Sequence, residues 1–250
     1  MVKGWYHLLE NRGFLRVDGP DRVEFLQGLV SNDVTKVTAE RAGYGAFLTA
    51  QGKFLFDFFM IADGDALVLD TEGDRVGDFF RRLRMYKLRS KIELSQSGYR
   101  TAVVIGDDAL TALDLPAERG AARPFAGGVA YVDPRHAEAG ARILLPASAD
   151  ESALTAAGLQ PIGIEAYDRR RVALGLPDGS RDMAVEKTVL LEAGFEELGG
   201  VDFDKGCYMG QELTARTKYR GLVKRRLMPV AIDGPLPDSG TLITLDGQEA

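Results

Sequence analysis

The sequence holds one cysteine and two histidines in 250 residues. A single thiol excludes an intramolecular disulfide and an all-cysteine metal cage. His7 and His136 are far apart and share no ligand spacing, so no metal site is expected on them; His136, after Asp133-Pro134-Arg135, reads as a turn residue. Long apolar runs are missing too. The densest, residues 54–62, is interrupted by Asp57 and falls well short of the roughly twenty residues of a membrane-spanning helix. The first seven residues have no apolar core, no small-residue cleavage site and no Arg- and Ser-rich leader character, so a cytoplasmic address is expected. Positive charge is not in excess: 31 Lys and Arg against 37 Asp and Glu leave a net charge of -6. Neither nucleic acid nor membrane is therefore an expected partner. There is also no Gly-rich phosphate loop, Gly-x-Ser-x-Gly elbow or metalloprotease signature.

What is present is globular. The chain is 45% hydrophobic and 27% charged, which excludes global disorder, and its length suits one large domain or two small ones. Strand alternation marks residues 13–17, 44–48, 54–61, 66–69, 91–94, 100–105, 127–132 and 141–145. Helical spacing marks residues 21–30, 107–115, 150–158 and 164–174, the last stopped by Gly175 and Pro177. Another helix sets Val76, Phe79, Phe80 and Leu83 on one face, with Arg81, Arg82 and Arg84 opposite. Residues 221–250 are strand-like and rich in turns. Strands and helices mix without βαβ repetition, so the fold class is α+β.

Three stretches carry candidate chemistry. In Lys205-Gly206-Cys207-Tyr208-Met209-Gly210-Gln211-Glu212 two glycines bracket the only thiol, and a helix-compatible run follows on which Glu212 and Arg216 can pair. A cysteine at a helix N-terminus beside Lys205 is favoured as thiolate; the competing reading is a small buried hydrophobe. Under strict alternation Asp57 shares a face with Leu55, Phe59 and Ile61, while Phe54, Phe56, Phe58 and Met60 occupy the other. A carboxylate between two apolar faces needs donors: the N–H groups of a heterocyclic ligand, or a backbone or Arg partner. The third stretch, Tyr86-Lys87-Leu88-Arg89-Ser90-Lys91, is a solvated helix end or a contact for an anionic group such as a polyglutamate tail. Asn32-Asp33 reads as a turn after the first helix. Arg169, Arg170 and Arg171 read as a solvent face from which one guanidinium can reach inward to a carboxylate.

The cysteine motif, from Lys205 to Arg216, resembles the signature of the YgfZ-type folate-binding proteins. That family includes mitochondrial iron–sulfur assembly factors related to the T-protein (aminomethyltransferase) of glycine cleavage. The likeness extends through Phe25-Leu26-Gln27-Gly28, Gln51-Gly52-Lys53, the Tyr86–Lys91 stretch, Gly175-Leu176-Pro177-Asp178 and Leu191-Glu192-Ala193. It implies interleaved α/β subdomains around a central cavity over residues 1–222 and the start of a C-terminal β-barrel, cut short, over 223–250. The implied ligand is tetrahydrofolate or a one-carbon derivative, with Asp57 holding the pterin. Asn32, Tyr86, Arg89, Gln211 and Arg216 are taken as further cofactor contacts, and Cys207, supported by Lys205, as the reactive group facing the same cavity. Gly206, Gly210 and Glu212 shape the loop.

One departure matters: where the T-protein has a pterin-holding glutamate, this chain has Ala173, a loss of about 1–3 kcal/mol if nothing replaces it. The expected function is that of a folate-binding accessory in assembly or repair of four-iron proteins, with assembly proteins or client iron–sulfur enzymes as partners and no permanently bound metal. The alternatives are a folate-dependent aminomethyl or methyl transferase and a ligand-free scaffold.

Overall fold

A computed structural model describes residues 2–249 apart from Leu222, Lys224 and Ser239. The chain opens with β1 (Gly4–Leu9), β2 (Arg12–Asp18) and α1 (Arg22–Gln27), then β3 (Gly43–Leu48), β4 (Phe54–Asp63), β5 (Ala66–Glu72), α2 (Val76–Tyr86) and β6 (Glu93–Gln96). It continues through β7 (Tyr99–Ile105), α3 (Ala109–Ala112), β8 (Ala122–Phe125), β9 (Gly128–Val132) and β10 (Ala141–Pro146). Next come α4 (Ser152–Ala156), β11 (Leu159–Pro161), α5 (Ile164–Ala173) and α6 (Gln211–Tyr219). The C-terminal segment adds only the hairpin β12 (Thr244–Leu245) and β13 (Gln248–Glu249). The two are joined by Asp246-Gly247, both at positive φ as a primed hairpin turn requires.

Two sheets result, in the orders β3-β4-β5-β2-β6 and β11-β1-β7-β10-β9-β8. Strand β1 belongs to the second sheet although β2–β6 build the first, so the subdomains are interleaved, as the resemblance implies. Helices α1 and α2 cover one face of the first sheet, where Phe25, Leu26, Phe79 and Leu83 meet Phe56, Phe58 and Met60. Its other face turns toward the second sheet and packs Tyr44, Phe54, Phe59 and Ile61 against Tyr131 and Leu144. Beyond the second sheet, α3 and α4 close a third core around Val104, Ile143 and Leu154.

Strict alternation fails once, and instructively. The β3–β4 register slips between Phe47 and Leu48, so that Phe47 faces Phe56 and Leu48 faces Phe54. Leu55 is the extra residue of a bulge. It joins Phe56 on the helix-covered face, while Phe54 crosses to the face of Asp57, Phe59 and Ile61. Three helices are shorter than the spacing suggests: α1 stops before Gly28, α3 is a single turn between Asp108 and Leu113, and α4 covers only Ser152–Ala156. Among the described residues the C-terminal segment forms no closed barrel, and the domain boundary expected at 222/223 falls on Leu222, outside them.

Candidate functional site

Between the sheets, packing opens into a cavity of about 320 Å³ lined by Arg12 of β2, Asp57 and Phe59 of β4, Arg142 of β10, Tyr167 of α5 and Asp178 beyond it. Three strands of largely apolar sequence turn charges inward around it: Asp57 from β4, Asp70 from β5 and Arg142 from β10. The guanidinium of Arg142 lies 3.9 Å from the centre of the Phe59 ring, that of Arg135 4.9 Å and that of Arg12 5.9 Å. Fully buried Asp70 balances two of them, accepting from Arg12 Nε at 2.6 Å and Arg142 Nη2 at 3.3 Å, with Thr101 Oγ1 at 2.8 Å. Asp133 holds the third in a two-pronged pair, Nε at 3.0 Å and Nη2 at 2.8 Å. Burying such a cluster is costly, and deleting one member strands the others.

Asp57 faces this cavity. Its Oδ2 accepts from Tyr44 Oη at 2.9 Å, the carboxylate's one hydrogen bond among the described residues. Burial pushes its pKa up, against the pull of Arg12 and the Tyr44 bond. Its Oδ1 lies toward Gly179, where a Cβ would stand 3.5 Å away and only 2.9 Å from Glu72 Oε2; the residue also has φ +53. Asp178 Oδ2 accepts from Arg181 at 2.9 Å; burial pushes Asp178 up, but Arg12 and Arg171 outweigh that and hold it low. The loop carrying both is pinned by Arg171, the inward-reaching member of the arginine run. It is buried and donates to Asp168 and Asp182, each at 2.7 Å.

The cysteine loop lies elsewhere. Cys207 is exposed and lines an open groove of about 610 Å³ with Tyr208, Gln211, Arg216 and Tyr219. That groove shares no lining residue with the Asp57 cavity, so the expected meeting of thiol and pterin in one hollow is corrected. Nor does Lys205 serve the thiol. Its ammonium donates to the carbonyls of Gln27, Val30 and Asn32 at 2.9, 2.6 and 2.8 Å, tying the loop to the end of α1. Burial draws its pKa down to about 8, with Asp33 and Asp202 pulling the other way. Gly210 is a packing requirement: at φ +81, a Cβ would meet Thr49 O at 2.5 Å and the Gly52 Cα at 3.0 Å. The glycines of the two motifs are thus pressed together. Gly206, at φ +93, makes a turn in open space.

The remaining expected contacts separate as well. Gln211 Oε1 accepts from Tyr208 N at 2.8 Å, and Arg216 pairs with Glu212 at 2.7 Å, both within the loop and α6. Asn32 spends its amide on Tyr44 O and Gly199 O, each at 2.7 Å. Tyr86 and Arg89 are exposed at the end of α2 and do not line the cavity. Ala173 is exposed on α5 and does not line it either. His136 caps a short turn, accepting from Glu138 N. Sequence reasoning missed Arg12, Asp70, Arg135, Arg142 and Asp178. The signal that singled out Asp57, a charge inside an apolar strand, was equally present at Arg142; Asp70 sits at the polar end of its strand, before Thr71 and Glu72.

Two interleaved sheets around a polar cavity define the aminomethyltransferase-like class of folds. The crystal structure of glycine cleavage system aminomethyltransferase T from Bartonella henselae superposes with a TM-score of 0.71, over 88% of this chain and 64% of that one, at 15% identity. At that identity the likeness is one of fold.

In sequence, the mitochondrial iron-sulfur cluster assembly factor IBA57 of Homo sapiens is 33% identical over 96% of this chain and 71% of its own length. The Mus musculus protein of that name is 32% identical over 97% and 72%. The Neurospora crassa homolog is 31% identical over 92% and 54%, so this chain spans about half of that relative. Residues 224–250 match the family model for the CAF17 C-terminal beta-barrel domain. The chain belongs to the IBA57 family of iron–sulfur cluster assembly factors. These names also overturn the cytoplasmic expectation, because all three relatives are mitochondrial proteins. No helix among the described residues is long and apolar enough to cross a membrane.

Proposed function

We propose that the chain supports iron–sulfur cluster assembly while holding a tetrahydrofolate, or a one-carbon derivative, in the cavity beside Asp57. The observation that carries this is a half-buried carboxylate with one oxygen bound to Tyr44 and the other unspent at the wall of a 320 Å³ hollow. A pterin ring offers N–H donors to such an acceptor. Asp178 Oδ1, also without a partner among the described residues, supplies a second acceptor in place of the side chain that Ala173 lacks. Arg12 Nη1, likewise unspent, supplies a donor for the ring carbonyl.

Cys207 acts on the other side of this division of labour. Exposed in its own groove, it offers one sulfur ligand to iron held mainly by a partner protein, since one cysteine cannot hold a cluster alone.

Calorimetric titration of tetrahydrofolate tests the first part. Asp57→Asn is expected to weaken binding at least about tenfold, because a charge-assisted bond to a ring N–H is lost. No binding by the native chain would sink the folate reading. Cys207→Ala is expected to bind tetrahydrofolate normally yet fail to restore a four-iron enzyme in cells lacking the native protein; full rescue would remove the thiol. Turnover of an aminomethyl donor by the purified chain would favour the transferase reading instead.

A further inference from the structure

The C-terminal end of α2 is not used by either site. Residues 81–91 contain six cations, Arg81, Arg82, Arg84, Lys87, Arg89 and Lys91, and no carboxylate. Arg81 and Arg82 pair with Asp78 one turn back; the other four form no ion pair among the described residues. Three large apolar side chains stand among them in solvent: Met85, Tyr86 and Leu88, the last 87% exposed. Leu88 also has φ +39, in the left-handed region that costs a branched side chain about 1 kcal/mol. The chain therefore holds an exposed leucine in a strained conformation, between unpaired cations, at the tip of a turn.

We propose that this knuckle is a docking surface for a protein partner presenting an acidic patch with an apolar recess. Charge selects that occupant. The whole chain carries -6 and the segment +6, so the remainder carries -12. An extended polyanion, whether bilayer or nucleic acid, meets that remainder and is repelled. A partner of similar size meets only the knuckle, where opposite charges steer encounter and Leu88 supplies contact area. The place is also connected to the cysteine loop through the interior. Tyr86 packs edge-on to Phe47, with ring centres 6.1 Å apart, and the next residue, Leu48, lies 3.0 Å from a Cβ built on Gly210. Buried contacts through β3 thus link the knuckle to the loop that carries Cys207.

The test uses the full chain labelled with an environment-sensitive dye at Cys207, its only thiol, and three probes. These are a synthetic peptide of alternating Glu pairs and Leu, phosphatidylserine-containing vesicles, and a single-stranded RNA. The peptide is expected to bind with an affinity that falls as salt rises. Lys87→Glu with Arg89→Glu is expected to weaken it at least about tenfold while tetrahydrofolate binding and the thermal midpoint stay put. Leu88→Gly separates contact from structure: relief of the φ strain is expected to keep or raise the thermal midpoint, while peptide affinity falls about threefold to tenfold. Tighter binding of vesicles or RNA than of peptide, or peptide affinity indifferent to both variants, overturns the proposal.

Discussion

Single residues decide where the charge goes. Asp57 shows the tension most plainly. Its folded pKa is raised, so the stability it contributes is fully present below the ordinary carboxylate value and is lost as pH rises through the folded one. Asp57→Asn removes that loss. The variant is expected to be more stable than the native chain at neutral pH, with the difference shrinking to nothing as pH falls and the native carboxyl takes up its proton. Urea denaturation across the pH range reads this directly. A site residue whose amide improves the fold while weakening binding is one retained for chemistry.

Lys205 makes the opposite case. A motif lysine beside a thiol invites a role in activating it, yet all three N–H groups are taken by carbonyls at the end of α1. Lys205→Met leaves those acceptors without donors and is expected to cost about 2–3 kcal/mol by urea denaturation. Cys207, already exposed, is expected to keep its alkylation rate. No spacing rule reveals this, because the carbonyls come from residues some 175 positions away.

At the scale of elements, the aromatic residues of β3, β4 and α2 form one cluster. The Phe79 ring lies 4.7 Å from Phe56, 5.1 Å from Phe58 and 5.6 Å from Phe47. Phe79→Ala is expected to lose about 3–5 kcal/mol, read as a lower denaturation midpoint with an unchanged slope. The turn before β4 and the cysteine loop form a second such unit through Gly52 and Gly210. Gly210→Ala brings both a clash with Thr49 O and an unfavourable φ, and is expected to cost at least about 2 kcal/mol.

Most elements were legible because their apolar periods are clean, as in α2, β5 and β10. Three strands were not. In β1, Trp5 and His7 are turned away from the core of Tyr6, one of them toward the cavity, which blurs the alternation. Strand β8 is short and contains Pro124, and β11 is three residues ending in Pro161 at a sheet edge. The bulge at Leu55 was invisible for another reason: an extra residue changes faces without changing composition. The site was legible only as far as single odd charges go. Asp57 stood out in its own strand, but its relation to Arg12, Asp70, Arg142 and Asp178 depends on how the sheets face each other.

For the whole molecule, the charge cluster between the sheets governs behaviour in acid. Burial pushes Asp133 up, but Arg135 and Arg142 outweigh it and hold the folded pKa low. Elsewhere burial is likewise outweighed: at Asp168 and Asp178 by arginines, at Asp33 by hydrogen bonds from Thr35 and Gln27, and at Asp202 by Lys36, so all four are lowered. Each contributes stability that is present above the ordinary carboxylate pKa and lost as pH falls through the folded value. Unfolding is therefore expected to set in below about pH 4, followed by circular dichroism. Asp133→Asn should move the onset upward and leave Arg135 buried with half its partner.

The seating of β1 has a consequence for biogenesis. This strand lies between β11 and β7, and its register partners run from Leu159 to Pro161 on one side and from Thr101 to Ile105 on the other. During synthesis the opening strand must wait, unpaired, while about a hundred residues emerge and the β2–β6 sheet closes without it. A nascent chain of this design completes its second sheet only once Pro161 has emerged, well after the first sheet. Chaperone contact with the unpaired β1 is the stage at which yield would be won or lost.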